Sequence, residues 1–543
     1  MILSAVGVLA AAGAGAASIV LVPGRARSVA MLLALVLFPA LILGDQWHSA
    51  QIVDLRDDSA RLAALGIVGL VVVAILTAVF HRWPVALPLA IVAALPFRVP
   101  LHAGGDTANL LVPLYLVIAG GVLAAAWRGW RTSASRAGGG VGGTTPEEAL
   151  ATAGGGGSPA PTGPARLLPL VLAAVVLLYA LQTLYSPDFS KSLQNVCFFF
   201  VPFSLVYALL RDVHWNRKLL ILVLWVVALE AVAFVLVGAI EYFSRELFWN
   251  DQVIRSNEFH TYFRVNSIFW DPNIYGRYLA LVIVVAMAAL LWAKERRTMA
   301  LLTGLVALLW LGLVVTFSQS SFAALLAGLA VLAALRWSWR WTLAAVGAGA
   351  VMAIVIVLFA GGTSKLSPDR LNTDTGGRGN LVSGGAKLFA QRPLWGYGAG
   401  SFPRAYREHA ATKKAPVVVS HTEPITVAAE QGLIGLVAYV ALIVVALLTM
   451  GSGLFSGEAS PAGGTVAGVP HSGGRRRRPS TWGRAAVTGP AGQSVPRAAV
   501  LATFVALLVH TMAYAGFYED PITWVLLAVG ASLATVPAVR PSA

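Results

Sequence analysis

Three stretches of this chain carry residue types that can hold an anion and move a proton. The first is Tyr262-Phe263-Arg264-Val265-Asn266-Ser267-Ile268-Phe269-Trp270-Asp271-Pro272-Asn273. Asp271 is placed to cap a helix that starts at Pro272, because proline is favoured at the first helical position. Arg264 is then held just outside the entry to that helix. The second stretch runs from Thr363 to His409. Within it, Asp374-Thr375-Gly376-Gly377-Arg378-Gly379-Asn380 presents Arg378 on a glycine-flanked turn, ahead of an amphipathic stretch from Leu381 to Gln391. Arg370 and Arg404 add charge on either side, with Lys365, Lys387, Arg392 and Arg407 inside the stretch and Lys413 and Lys414 just beyond it. A planar guanidinium donates two hydrogen bonds to phosphate oxygens, so the arginine pattern suits a surface that grips a phosphate or diphosphate. The third stretch begins Ser420-His421-Thr422-Glu423-Pro424. Pro424 fits the first turn of another helix, with Thr422 or Glu423 capping it, so His421 sits beside a helix N-terminus. An unperturbed imidazole with a pKa of about 6.5 accepts a proton near neutrality, and the N-terminal dipole favours its neutral form.

Each of these residues also has a plainer reading. Arg264 and Trp270 can serve as interfacial anchors, long external loops tolerate basic charge, and an interfacial histidine often does no chemistry. Two separate arginine segments on the same face as His421 tip the balance toward a site. Glu430 lies about two turns into an apolar run, where a carboxylate is costly and marks a candidate functional residue. Arg392-Pro393-Leu394-Trp395-Gly396-Tyr397-Gly398-Ala399-Gly400-Ser401-Phe402 alternates glycines and aromatics, which predicts a tight turn with exposed backbone amides. No cluster of carboxylates of the kind hard cations favour is apparent in these loops, so no metal is expected.

The elements that must position these residues are membrane spans. The 543 residues are 57% hydrophobic and 12% charged, far from the roughly one-quarter charged composition of soluble domains. The apolar residues fall in blocks of about twenty, the length that crosses a hydrocarbon core, and in lipid such blocks must be helices. The pattern predicts an all-α polytopic bundle of about 12–15 spans. They are placed near 2–22, 29–45, 62–80, 84–98, 109–127, 167–186, 196–210, 218–242, 273–293, 299–316, 320–335, 342–361, 425–450, 498–516 and 520–537. The 84–98 block is short enough to be re-entrant. Met1 to Val22 lacks the basic start of a secretory signal and reads as a first span. Lys and Arg concentrate in alternate short loops, which by the positive-inside rule places 243–272 and 362–424 outside the cell. Organisation follows: N-terminal spans over 1–127, a cytoplasmic linker over 128–166 and central spans over 167–361. An extracytoplasmic catalytic loop covers 362–424, followed by a span over 425–450, a basic linker over 451–497 and terminal spans over 498–543.

Composition also excludes some classes. The net charge of +15 sits in span-flanking loops and in Arg475 to Arg478, the look of topology-setting charge rather than a nucleic-acid surface. The glycine runs at 138–140 and 154–157 are not followed by Gly-Lys-Ser/Thr, so they do not form a phosphate loop. The only cysteine, Cys197, cannot form an intrachain disulfide.

In this order and spacing, several motifs resemble the O-antigen ligase and O-antigen polymerase family. They are Arg264 with Phe269-Trp270-Asp271-Pro272-Asn273; Thr316-Phe317-Ser318-Gln319-Ser320-Ser321; Gly377-Arg378 with Pro393-Leu394-Trp395-Gly396-Tyr397-Gly398; and Ser420-His421 with Glu430-Gln431-Gly432-Leu433-Ile434-Gly435. The resemblance spans about residues 255–450. It implies a membrane glycosyltransferase of the GT-C type in the bacterial inner membrane, with its site on the extracytoplasmic side. The implied donor is a polyprenyl-diphosphate-linked glycan and the acceptor a glycan, with a protein hydroxyl as a weaker option; membrane lipid is a further partner, nucleic acid is not one, and no cofactor or metal is implied. Arg264 and Arg378 would bind the donor diphosphate and His421 would position or deprotonate the acceptor hydroxyl. Arg370, Arg404, Asp271, Asn273, Ser318 and Glu430 would contribute to substrate binding. Two positions depart from the family's pattern: Thr422 stands where asparagine is frequent, and Gln319 where arginine is frequent. A diphosphate ligand lost at Gln319 would fall to Arg370 or Arg404. The rival class is a polytopic transporter of a small anion or envelope precursor, which would carry charged groups at mid-membrane and often two related halves. A scaffolding membrane protein is the second rival.

Overall fold

A computed structural model describes residues 2–49, 53, 58–103, 106–138, 163–248, 250–259, 262–349, 378–410, 420–452, 454 and 494–535. Among them, twelve helices are long and apolar enough to cross a membrane. They fall where the apolar blocks place them, from Ile2–Val20 to Ser494–Thr511, and the all-α bundle is the architecture observed. The short block at 84–98 folds as the nine-residue Ala86–Ala94 helix, too short to cross, and leads into a small antiparallel hairpin, Val99–Ala103 with Asp106–Leu110. The block at 520–537 gives the Pro521–Thr535 helix, also short of a full span. The Val112–Gly138 helix carries on into the start of the segment expected as linker. Most of the 342–361 block, residues 139–162 and 455–493 of the linkers, Lys365, Arg370, the turn from Asp374 to Gly377, Lys413 and Lys414 lie outside the described residues.

The Pro272–Trp292 helix is largely buried, against Arg296–Val314, Gln319–Arg336 and Ser494–Thr511. Small residues permit this closeness, as membrane packing requires: Gly328 faces Val284 and Ala506. An aromatic cluster of Tyr179, Phe200, Phe203, Tyr439, Phe517, Tyr518 and Trp524 fills the neighbouring core. By contrast, Leu65, Ile67, Val68, Leu70 and Val71 of the Ser59–Arg82 helix face outward, as lipid-facing residues do. At the end of the bundle where most basic loops lie, Arg27 is buried and ion-paired with Asp212, tying the Arg25–Asp45 helix to the chain after Val201–Leu210.

One helix is broken. Within Glu423–Gly451, Gly432 takes φ 65° and ψ −162°, so the helical ladder stops and restarts. The backbone groups freed at the break are paired by the glycine-aromatic loop. Tyr397 and Gly398 N–H donate to the carbonyls of Ala429 and Glu430 at 3.1 and 2.8 Å, while Leu433 and Ile434 N–H donate to those of Pro393 and Leu394 at 2.7 and 3.4 Å. A side chain at Gly396 would overlap the Glu430 carbonyl, and one at Gly432 would overlap the Leu394 carbonyl. Both glycines also have positive φ, which L-residues with a Cβ rarely adopt.

Candidate functional site

Arg264 is fixed from several sides. Its Nε donates to the Thr316 carbonyl at 2.9 Å and its Nη2 to Asn273 Oδ1 at 3.2 Å. Its own backbone exchanges two hydrogen bonds with the Asn257 side chain. Asn273 Oδ1 also accepts from Ser318 Oγ at 2.9 Å, and Ser318 Oγ lies 2.7 Å from Ser321 Oγ and 3.2 Å from Ser320 Oγ. Ser320 Oγ in turn lies 3.2 Å from Nε2 of the fully buried His510. Three helix ends meet here: the start of Pro272–Trp292, the start of Gln319–Arg336 and the end of Ser494–Thr511. Asp271 caps the first of them as its sequence predicts, Oδ1 accepting from Asn273 N–H at 2.6 Å. Beside Arg264, the rings of Tyr262 and Phe317 stack with centroids 4.7 Å apart.

The backbone around Arg264 is held by a residue that sequence reasoning passed over. Glu241, fully buried near the end of the Arg217–Ser244 helix, accepts from Ser267 N–H at 2.7 Å and Asn266 N–H at 3.2 Å. Nothing in the local pattern marks it, because it sits at the edge of an apolar run.

His421 adopts φ 64° at the mouth of the Glu423–Gly451 helix. Thr422 occupies the N-cap position but its side chain forms no cap hydrogen bond, and Glu423 does not cap either. Ser420 Oγ accepts from Thr422 N–H at 3.2 Å and pairs with Thr426 Oγ1 at 2.8 Å. The Glu423 carboxylate reaches across the bundle instead, accepting from Gly516 N–H at 2.7 Å and Phe517 N–H at 3.1 Å. Two residues before Gly516, the Tyr514 hydroxyl donates to Asp271 Oδ2 at 3.1 Å. The loop between Ser494–Thr511 and Pro521–Thr535 therefore ties the His421 segment to the Arg264 segment, a connection the sequence did not announce.

The basic stretch divides. Arg378 is the first residue of the Arg378–Gln391 helix, which packs on the Glu423–Gly451 helix through Gly385 and Ile425. Arg404 is half exposed and committed to Glu408 Oε1 at 2.9 Å and the Pro187 carbonyl at 2.5 Å. Glu430 accepts from Gly400 N–H at 2.8 Å and Phe402 N–H at 2.9 Å, so its carboxylate pins the glycine-aromatic loop. The expectation of exposed amides in that loop is corrected: those of Tyr397, Gly398, Gly400 and Phe402 are all paired with the broken helix or Glu430.

A further charged cluster lies one turn inside the Pro272–Trp292 helix. Arg277 pairs with Asp520 at 2.8 Å, and both are buried. Asp520 also caps the last helix through Ile522 N–H at 2.9 Å. Arg98 lies close enough to feel both. Burial and the Arg277 charge push its guanidinium below the usual value, and Asp520 works the other way. Burial likewise raises the Tyr514 phenol, helped by the Asp271 charge, so Tyr514 is a hydrogen-bond donor at any physiological pH. Among the described residues, no three His, Cys, Asp or Glu side chains gather as a metal site.

Residues 304–440 match the model of the O-antigen ligase family. This is a multi-pass membrane protein with a segment similar to the O-antigen ligase family. The match covers the Ser318 segment, the basic stretch, His421 and the helix break, while Arg264 lies outside it. No curated protein matches the chain.

Proposed function

We propose that this protein is an inverting glycosyltransferase that moves a polyprenyl-diphosphate-linked glycan onto an acceptor sugar at the outer face of a bacterial cell membrane. The observation that supports the reading most is the tie from Asp271 through Tyr514 to Gly516 and Glu423, which joins an arginine segment and a histidine segment that are remote in sequence. In the reaction, the acceptor hydroxyl oxygen forms a bond to the anomeric carbon as the bond from that carbon to the diphosphate oxygen breaks. Polyprenyl diphosphate leaves with the electron pair, and the hydroxyl proton passes to the His421 imidazole. Arg264 and Arg378 stabilise the charge that develops on the leaving diphosphate, the role a metal ion plays in other transferases. Asn273 and Ser318 hold Arg264 in orientation, since a donor fixed before reaction need not reorganise during it. Polymerisation and ligation to a final acceptor share this chemistry and differ only in the acceptor.

The test uses purified protein in lipid, a polyprenyl-diphosphate glycan, candidate acceptors and release of polyprenyl diphosphate as readout. Acceptor-dependent release that survives a chelator and collapses in Arg264→Ala, Arg378→Ala and His421→Ala, each folded, supports the reading. Release indifferent to all three removes the site. No release together with substrate flux into sealed vesicles makes the protein a transporter.

A further inference from the structure

We propose that Arg98, beside Arg277, forms a binding site for the phosphate of a membrane lipid. The donor part of this inference rests on the function proposed above. Arg98 follows the short Ala86–Ala94 helix and immediately precedes the hairpin. With Arg277 and Asp520 it lines a small cavity whose other walls include Pro96, Phe269 and Ile274. Phe269 and Ile274 belong to the segment that carries Arg264 and Asn273, so the cavity shares a wall with the candidate site.

The charge balance is what points to an anion. Two guanidiniums face one carboxylate. Asp520 pairs directly with Arg277 at 2.8 Å and attracts Arg98 only at longer range, and among the described residues Arg98 forms no ion pair or hydrogen bond. A cation largely withdrawn from water that shares its nearest carboxylate with a second guanidinium is under-compensated, and pairing it with an anion offsets that cost. A guanidinium fork matches phosphate oxygens, and its charge persists at any physiological pH. The cavity is small and lies at the end of the bundle that holds Arg264. It fits an oxygen edge of a phosphate group rather than a whole headgroup. The phosphate comes either from the donor diphosphate or from an anionic lipid headgroup, and both present the same chemistry.

The experiment compares full-length wild type with Arg98→Gln, Arg98→Lys, Arg264→Ala and the remote control Arg297→Gln. Binding of polyprenyl diphosphate is measured in phosphatidylcholine nanodiscs, and retention of phosphatidylglycerol in mixed nanodiscs. In parallel, phenylglyoxal modification of Arg98 in the wild type is followed by mass spectrometry with and without each lipid. If the donor is the source, Arg98→Gln weakens polyprenyl diphosphate binding at least about tenfold, Arg98→Lys weakens it less, and polyprenyl diphosphate shields Arg98. If a headgroup is the source, the same losses and shielding follow phosphatidylglycerol instead. Unchanged binding of both lipids in the Arg98 variants, with no shielding, overturns the inference. Should Arg264→Ala still lose polyprenyl diphosphate in that case, the proposed function stands without Arg98; should it bind normally, the diphosphate reading of the site fails as well. The phenylglyoxal arm decides the matter even if Arg98→Gln does not fold.

Discussion

Tyr514 donates its phenolic hydrogen to Asp271 Oδ2 at 3.1 Å across 243 residues of sequence. Asp271 uses its other oxygen to cap the helix that bears Asn273, and Asn273 receives the Arg264 guanidinium. A movement of the Tyr514 loop is therefore transmitted to Arg264 through three hydrogen bonds, and to the base of His421 through Glu423.

Tyr514→Phe removes one hydrogen bond to a carboxylate and leaves the ring packing intact. A net loss of about 1.5–3 kcal/mol is the usual scale for such a bond. We expect the purified variant to unfold at a lower temperature and to turn over roughly tenfold or more slowly, with donor KM changed less than kcat. An unchanged kcat would mean that the two segments do not need this tie.

Glu430 should behave as a positioning residue for the loop rather than as a ligand for substrate. Glu430→Ala strands the buried N–H groups of Gly400 and Phe402, at a cost of about 1–3 kcal/mol each. The expected signature is faster proteolysis between Pro393 and Phe402, with Glu430→Gln intermediate. Equal protease resistance in Glu430→Ala and wild type would refute this role.

Much of the scaffold is legible in the sequence because lipid imposes one rule on every span. Apolar blocks of the right length gave the spans, and Asp271-Pro272 gave a capped helix start that is found as expected. The broken helix was not legible, because the run from Ile425 to Met450 is apolar enough to read as one span in spite of Glu430 and Gln431, and hydropathy is blind to backbone φ. The glycine-aromatic loop was read correctly as a tight turn and wrongly as a source of exposed amides, since its partners lie on a helix that looked continuous. Tyr514, Glu241, Arg98 and Arg277 were missed for a different reason. Each sits at the edge of an ordinary span, and what distinguishes it is a partner brought in by packing.

Arg277→Met leaves the Asp520 carboxylate buried without its counter-charge. Breaking such a pair from one side costs about 3–5 kcal/mol. Adding Asp520→Asn, which can still cap Ile522, should recover most of that loss. Thermal unfolding of both variants in detergent checks it, and equal destabilisation in the single and double variants would argue against a charge effect.

Gly432→Ala places a methyl group on the Leu394 carbonyl and forbids the observed φ. We expect almost no monodisperse protein from this variant, judged by size-exclusion profile. Gly304→Ala, where an added methyl meets open space, is the matched control and should purify normally.

The break at Gly432 also bears on how the chain is made. The Glu423–Gly451 helix closes its hydrogen bonds with residues that leave the ribosome before it does. Threaded into the bilayer alone, it would carry bare amides and carbonyls at a depth where each costs several kcal/mol. Its stable insertion is thus a joint event with the docking of the 393–400 segment. Biogenesis of this span is conditional on the loop ahead of it reaching its place, so a chain whose 393–400 segment is held away should also lose the span.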